Sequence, residues 1–372
     1  AIFMFGVQTF FISKALGYLI RVLFYEIDEQ LLSHEFMLYF FFGLNGLDWI
    51  SLIVTLIFQF YLFTNGPELN RKFIKFSAIF VYIGLICFLI TIVSENYNEL
   101  INSIKLSTNI DNIIAKKNIS PLISIVGTMF VYFSILILTF GDFSRFAKNA
   151  KEMKKGNLSL ILNLVIFSFF ALLITVGSDI ILTKNAVSVE RLLTNPNDII
   201  GKIDNSFLTV ISLIFILVSS FSTNLIANYI PAQNTLINFL PNFLTIKKTG
   251  FLICLLSLIV ASLWLSIFNK ASMLTSIDTL SAFFGPIFGV IISDYYLIKK
   301  EQINHKELFY PKETTEYIYT RGWNHKGLFS IIIGFIFSAS TIWNVNLTSL
   351  HSFAWIIGAF VSFLLYYLIS SE

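Results

Sequence analysis

Residues 205–230 read NSFLTVISLIFILVSSFSTNLIANYI, and this stretch decides the class of protein. It carries no charged side chain over 26 residues. The hydrocarbon core of a bilayer, about 30 Å thick, is crossed by roughly 20 predominantly apolar helical residues. The stretch therefore predicts a transmembrane helix, and the second half of that helix is rich in uncharged polar groups.

Nine further stretches have a similar length and a similar apolar content. Only helices and closed barrels satisfy the backbone hydrogen bonds in lipid, and these runs are too continuous for the alternating strands of a barrel. The sequence therefore predicts an all-α polytopic membrane protein with about ten transmembrane helices. The expected spans are 1–25, 47–66, 72–94, 120–141, 157–183, 205–230, 249–269, 273–298, 327–345 and 351–370.

The composition excludes several other classes of protein. Of the 372 residues, 56% are hydrophobic and 13% charged, whereas soluble domains carry about 25% charged residues. The net charge of +3 is spread along the chain, which excludes a nucleic-acid binder. Scattered cysteines and histidines give neither a disulfide framework nor metal-ligand spacing, and no hydrolase set or phosphate loop is present. We expect no enzymatic activity and no cofactor.

Basic residues in the loops predict the orientation in the membrane. Loops 67–75, 142–156, 231–248 and 299–326 hold sixteen Lys and Arg residues, and the alternate loops hold seven. This bias places both ends of the chain in the cytoplasm, as an even number of helices requires. We expect a multi-pass protein of the cell membrane.

The polar residues of the 205–230 span fall on two adjacent helical faces. Ser219, Ser222 and Thr223 stand at i, i+3 and i+4, and Asn224 and Asn228 stand at i and i+4. They have two interpretations. Small and polar side chains hold transmembrane helices together. Alternatively, hydroxyl oxygens coordinate sodium, and amides offer paired donors and acceptors to a neutral ring.

Ionisable residues inside spans are costly and mark candidate relay groups. Asp48, Asp179 and Asp294 lie near span ends, where we expect them to reach the membrane interface. Lys14 and Asp278 lie deeper and are the candidate proton relays.

Gly285, Pro286 and Gly289 predict a kink in the 273–298 span, because proline removes a backbone donor and clashes with the preceding turn. Interrupted helices line the midplane binding site of many transporters. This feature is consistent with a transporter.

Five motifs follow one another along nearly the whole chain. They are Phe5-Gly6-Val7-Gln8-Thr9, Asp142-Phe143-Ser144-Arg145-Phe146-Ala147-Lys148, Ser222-Thr223-Asn224 with Ala227-Asn228 and Pro231-Ala232, Phe284-Gly285-Pro286-Ile287 with Asp294-Tyr295-Tyr296, and Gly322-Trp323-Asn324. Together they resemble motifs of the nucleobase–cation symporter family, whose members include permeases for hydantoins, allantoin, cytosine and uracil.

The resemblance implies a twelve-helix fold of two inverted five-helix repeats and two trailing helices. This chain is similar to helices three to twelve. Residues 1–94 would be the remainder of the first repeat, 120–298 the second repeat and 327–370 the trailing helices. We therefore expect further sequence upstream of Ala1, and we expect this chain to be incomplete rather than active as it stands.

The resemblance also implies a substrate site. Gln8 and Asn228 would hydrogen-bond the substrate ring, with Asn224 nearby. Where the family often has a stacking Trp, this chain has Met4, and a second stacking Trp corresponds to Phe133. The pocket should therefore differ in shape from that of its relatives.

By the same resemblance, Ser222 and Thr223 would supply oxygens to sodium, and Ser219 stands where a backbone carbonyl contributes in the family. The expected function is symport of a neutral nucleobase-like heterocycle, driven by sodium or alternatively by protons, through alternating access. We expect a monomer in the bilayer. The alternatives are a transporter of the same fold for a vitamin or amino-acid-like solute, and a receptor or non-transporting remnant.

Overall fold

The computed structural model describes residues 1–107, 116–184, 206–268, 273–309, 316–320 and 322–371, and almost all of them are helical. Within these ranges the α-helices are interrupted by three π-helical turns, Asn224–Tyr229, Trp264–Phe268 and Ser293–Ile298, and by three 3-10 segments, Glu29–Ser33, Glu316–Ile318 and Val345–Phe353. The α-helices are α1 (Ile2–Ile27), α2 (Glu35–Leu38), α3 (Gly46–Thr64), α4 (Pro67–Ser107), α5 (Lys116–Leu138), α6 (Phe140–Ser144), α7 (Ala150–Lys184), α8 (Ser206–Thr223), α9 (Ile230–Phe239), α10 (Ile246–Ser262), α11 (Met273–Ile292), α12 (His305–Phe309), α13 (His325–Trp343) and α14 (Ala354–Ser370).

The long apolar helices confirm the predicted class, an all-α polytopic membrane protein. Within the described ranges, seven helices are long and apolar enough to cross a bilayer. Helix α4 also covers the predicted span at 72–94, and α5 and α11 cover most of the predicted spans at 120–141 and 273–298. The total of ten spans and the inverted repeat stay predictions.

A short hairpin that the sequence did not predict lies between α2 and α3. Strands β1 (Phe40–Phe41) and β2 (Leu44–Asn45) pair antiparallel, with Phe42 and Gly43 between them at φ 52° and 81°. Positive φ at both central residues is the backbone of a type I′ hairpin, which glycine favours. The strands are too short for an alternating pattern to reveal them.

The helices divide into two units, of which the first comprises residues 1–112 and 141–270. Here α1 packs against α3, α8 and α10. The rings of Phe5, Phe63 and Tyr229 form its aromatic centre, with centroids 5.1 to 6.2 Å apart. A Cβ atom at Gly6 would lie 2.7 Å from Cβ of Val260, so only glycine permits this approach of α1 to α10. The first unit holds Gln8 and the 219–228 cluster.

The second unit comprises residues 113–140 and 271–372. Helices α11, α13 and α14 pack together, and a side chain at Gly285 or Gly289 would overlap backbone carbonyls of α14. Helix α11 runs through Pro286 to Ile292, and the Ser362 hydroxyl donates to the Pro286 carbonyl at 2.9 Å. The Gly285-Pro286 segment is therefore a packing surface for α14.

Two of the sequence motifs also meet in the second unit. The Tyr366 hydroxyl donates to Asp294 at 2.8 Å and accepts from the Asn324 amide at 3.1 Å. Asn324 in turn caps α13 by accepting from the backbone N–H of Gly327. Asp294 is thus bound to α14 within the protein.

Candidate functional site

Helix α1 presents one face to the polar cluster at residues 219–228. Phe5, Gln8 and Thr9 stand at i, i+3 and i+4 and so share this face. Phe5 and Thr9 are fully buried, and Gln8 is half-buried.

Opposite this face, the chain forms a π-helical turn at Asn224–Tyr229. Proline has no N–H, so Pro231 would leave the Ala227 carbonyl without its α-helical donor. One turn earlier the Ile230 N–H donates to the Leu225 carbonyl, five residues back, rather than to the carbonyl of Ile226 as in an α-helix. Such turns often occur at functional sites, and this one lies where Asn224 and Asn228 face α1.

The amides of these two segments form a connected hydrogen-bond network. Asn228 Nδ2 donates to Gln8 Oε1 at 3.0 Å and to Asn224 Oδ1 at 2.9 Å. Asn224 Nδ2 donates to the Phe5 carbonyl at 3.3 Å and to Thr9 Oγ1 at 3.2 Å. Asn224 is fully buried and Asn228 is 5% exposed. The structure therefore brings together Gln8, Asn224 and Asn228.

The network leaves a defined set of unused donors and acceptors. Asn228 uses both of its N–H groups, and no described residue donates to its Oδ1. Gln8 gives one N–H to the Ser220 carbonyl at 3.3 Å and keeps the other. The pair therefore offers one acceptor, Asn228 Oδ1, and one donor, Gln8 Nε2, close to each other.

The network also contains two residues that were not predicted as site residues, Thr9 and Gln59. Thr9 Oγ1 lies 3.0 Å from Oε1 of Gln59, a fully buried residue of α3. Thr9 ends the Phe5–Thr9 motif, which was one available signal. A second was the amide of Gln59 inside an otherwise apolar span, where an unpaired amide is costly.

A charged cluster lies elsewhere in the first unit. Asp48, at the start of α3, is 3% exposed and binds Lys14 Nζ at 2.8 Å and Arg21 Nη2 at 2.7 Å. It also forms a capping box with Asn45, so the carboxylate sits at the positive end of the α3 dipole. Asp48 therefore turns inward, against the expectation that it reaches the interface. Two cations from α1 and the N-terminus of its own helix compensate the charge, and sequence spacing does not connect α1 with α3.

The predicted sodium ligands lie one helical turn before the amides. Ser219 and Ser222 are half-buried, and Thr223 is exposed. The Thr223 hydroxyl donates to the Ser219 carbonyl at 3.0 Å. These oxygens line one turn of α8 without a charged neighbour on that turn.

The remaining predicted site residues are Met4, Phe133 and Asp278. Met4 is half-buried on α1, next to Phe5. Phe133 is half-buried on α5 in the second unit. The backbone of Asp278 is part of α11, and its side chain lies outside the described part of the structure.

A cavity of about 710 Å³ lies in the second unit, and none of the predicted site residues lines it. Its wall consists mostly of exposed residues that follow the 293–298 turn. It is a surface cleft. The residues that line it are Tyr295, Glu301, Gln302, Ile303, Asn304, His305, Glu307 and Tyr317.

Comparison with known proteins gives a family match along the chain. Residues 1–369 match a family model described as permease for cytosine/purines, uracil, thiamine and allantoin. An allantoin permease of Bacillus subtilis is 28% identical over 62% of this chain and 45% of its own length. The purine-uracil permease NCS1 of Arabidopsis thaliana is 29% identical over 55% of this chain and 33% of its own length. The chain thus matches less than half the length of these relatives.

Solved structures show the same fold. The transporter Mhp1, of the nucleobase-cation-symport-1 family, in a closed conformation with bromovinylhydantoin bound, is similar with a TM-score of 0.66. The identity is 18%, and the match covers 99% of this chain and 72% of that one. The inward-facing conformation of Mhp1 gives a TM-score of 0.64 at 17% identity, over 100% of this chain and 71% of that one.

Proposed function

The chain belongs to the family of permeases for cytosine and purines, uracil, thiamine and allantoin, and we propose that it acts in the coupled import of a neutral nucleobase-like heterocycle. The observation that carries the proposal is the amide pair of Gln8 and Asn228. Its members come from two helices, lie 3.0 Å apart and retain one donor and one acceptor.

The free groups favour a particular substrate chemistry. A ring that carries N–H next to C=O presents a donor to Asn228 Oδ1 and an acceptor to Gln8 Nε2. Uracil, cytosine, hydantoin and allantoin all contain this unit. The amide network itself contains no charged side chain, so it matches a neutral solute better than an anion or a cation.

For the coupling ion, we propose sodium. Ser219, Ser222 and Thr223 place several oxygens on one turn without a charged partner there, and a hydroxyl or carbonyl oxygen can replace the water around a small cation. The proton alternative would use Asp278 or Lys14. The ammonium group of Lys14 lies 2.8 Å from the Asp48 carboxylate, and loss of its proton would leave that buried carboxylate with Arg21 alone. This ion pair argues against Lys14 as the group that releases a proton in each cycle.

Uptake measurements test both parts of the proposal. The protein is expressed from its own open reading frame, and cells are offered radiolabelled uracil, cytosine, hydantoin and allantoin, with sodium or with potassium as the only monovalent cation. We expect saturable uptake of at least one compound in sodium and a large loss in potassium. Equal uptake in both media would refute the proposal that sodium is the coupling ion. A lack of uptake of all four compounds would refute the proposal that the substrate is a heterocycle of this kind.

A further inference from the structure

The hydroxyl of Thr9 is the point at which the amide network is anchored. Thr9 and Gln59 are both fully buried, and they lie on different helices, α1 and α3. The Thr9 hydroxyl oxygen lies 2.7 Å from the Phe5 carbonyl, 3.0 Å from Gln59 Oε1 and 3.2 Å from Asn224 Nδ2. It therefore has two candidate acceptors and one donor around it.

A hydroxyl has one proton, so Thr9 donates to Phe5 or to Gln59 but not to both. In either arrangement its oxygen accepts from the Asn224 amide. When Thr9 donates to the Phe5 carbonyl, the Gln59 carboxamide can rotate so that its NH2 group donates to the Thr9 hydroxyl oxygen. This rotation also gives a partner to Gln59 Nε2, which otherwise has none among the described residues.

The orientation of Asn224 then fixes the orientation of Asn228. With its NH2 group held by Thr9 and by the Phe5 carbonyl, Asn224 can turn only its oxygen towards Asn228. Asn228 must therefore donate from its NH2 group to the Asn224 oxygen, and the same NH2 group also donates to Gln8 Oε1. The carboxamide of Asn228 therefore has its oxygen left over.

We propose that Thr9, held by Gln59, is a positioning residue that sets specificity by deciding which atom of the Asn228 carboxamide faces the ligand. The proposal rests on the function proposed above. The site prefers a ring N–H because its free group at Asn228 is an acceptor. If Asn224 turned over, Asn228 would present N–H instead, and the preference for a ring N–H over a ring without one would weaken.

The test compares Thr9 with Thr55, a second buried threonine that is not part of the amide network. Thr55 lies one turn before Gln59 on α3 and is also fully buried, but its hydroxyl has no partner among the described residues. Thr9→Val and Thr55→Val each remove one threonine hydroxyl and keep the volume of the side chain. Thr9→Ser keeps the hydroxyl and serves as the conservative variant.

The readout is a selectivity ratio. Uptake of whichever of the four radiolabelled compounds the wild type accepts is inhibited by the unlabelled compound and by its ring N-methyl derivatives. We expect the wild type to discriminate against methylation of the nitrogen that meets Asn228. Thr9→Val should lower that ratio by about fivefold, the size expected for one net hydrogen bond. Thr9→Ser and Thr55→Val should keep it.

An unchanged ratio in Thr9→Val, or an equal fall in Thr55→Val, would overturn the proposal. If Thr9→Val does not reach the membrane, Gln59→Met removes the support of Thr9 at similar volume and should lower the same ratio, and a Gln59→Met variant with the wild-type ratio would equally overturn it. Failure of the wild type to take up any of the four compounds would refute the proposed function, and this inference with it. Wild-type uptake with unaltered selectivity in the variants refutes only the role of Thr9.

Discussion

The side-chain amide of Asn228 donates to Oε1 of Gln8 at 3.0 Å and so joins positions 220 residues apart in the chain. The contact ties the N-terminal third of α1 to the π turn between α8 and α9. Both residues keep an unused polar group beside the shared hydrogen bond, so a ligand can bind the pair without leaving either amide unpaired.

Replacement of Asn228 by alanine should abolish saturable uptake while leaving insertion into the membrane intact. Alanine removes the free acceptor and also the donor to Gln8 and to Asn224. Each buried group left without a partner costs roughly 1–3 kcal/mol. Uptake kinetics and the amount of protein at the membrane measure the two effects separately.

Asn163→Ala is the matched control for that variant. Asn163 is an exposed asparagine of α7 whose side chain bonds to Tyr82 and Ser159. Its removal should leave uptake unchanged. Normal uptake by Asn228→Ala would refute the assignment of Asn228 to the substrate site.

Removal of hydroxyls from α8 should weaken sodium dependence rather than substrate selectivity. Ser222→Ala combined with Thr223→Val takes two oxygens from the predicted ion site. The sodium concentration for half-maximal uptake should rise about tenfold, equivalent to ~1.4 kcal/mol. A titration of uptake against sodium, with potassium keeping the ionic strength constant, measures this shift.

Ser212→Ala provides the comparison on the same helix. Ser212 is buried and stands ten residues before Ser222 on α8, so its hydroxyl lies well away from the predicted ion site. Ser212→Ala should leave the sodium concentration for half-maximal uptake unchanged. The ion assignment fails if the double variant titrates like the wild type or if Ser212→Ala shifts the midpoint by the same factor.

Local spacing along the sequence was sufficient for some of these relations. Asn224 and Asn228 at i and i+4 are expected to share a face, and they bond to each other although the turn is π-helical. The apolar runs likewise predicted the class of fold, because the thickness of a bilayer sets the length of a span.

Relations between distant segments could not be read in this way. Lys14 and Asp48 are 34 residues apart, and no periodicity connects a basic residue within one helix to the first turn of another. Gln59 was not predicted as a site residue, because its partner, Thr9, lies 50 residues away on α1. Such pairs depend on how α1 packs against α3, which the pattern of a single span does not contain.

Neutralising Asp48 should destabilise the first unit strongly. Asp48→Asn keeps the shape of the side chain but leaves Lys14 and Arg21 without a counter-charge. Breaking a buried ion pair from one side costs about 3 kcal/mol. Thermal unfolding of the purified protein in detergent should show a clear fall in the unfolding temperature.

The exposed ion pair of α7 is the control for that measurement. Glu152 and Lys155 lie 2.9 Å apart with about half or more of each side chain exposed. Glu152→Gln should change the free energy of unfolding by less than about 1 kcal/mol, because water screens the pair. Equal destabilisation by the two substitutions would contradict a special role for the Asp48 cluster.

Restoring a backbone N–H after the π turn should separate ligand affinity from stability. In Pro231→Ala the new N–H can bond to the Ala227 carbonyl and favour an α-helical register through Asn224–Tyr229. That register rotates Asn224 and Asn228 away from the α1 face, so the half-saturating substrate concentration should rise several-fold. The unfolding temperature should not fall, because alanine is the better helix former. Pro286→Ala, in the second unit, alters a helix interior in the same way and should leave substrate affinity unchanged. If Pro231→Ala binds substrate as tightly as the wild type, the π turn does not set the orientation of the two amides.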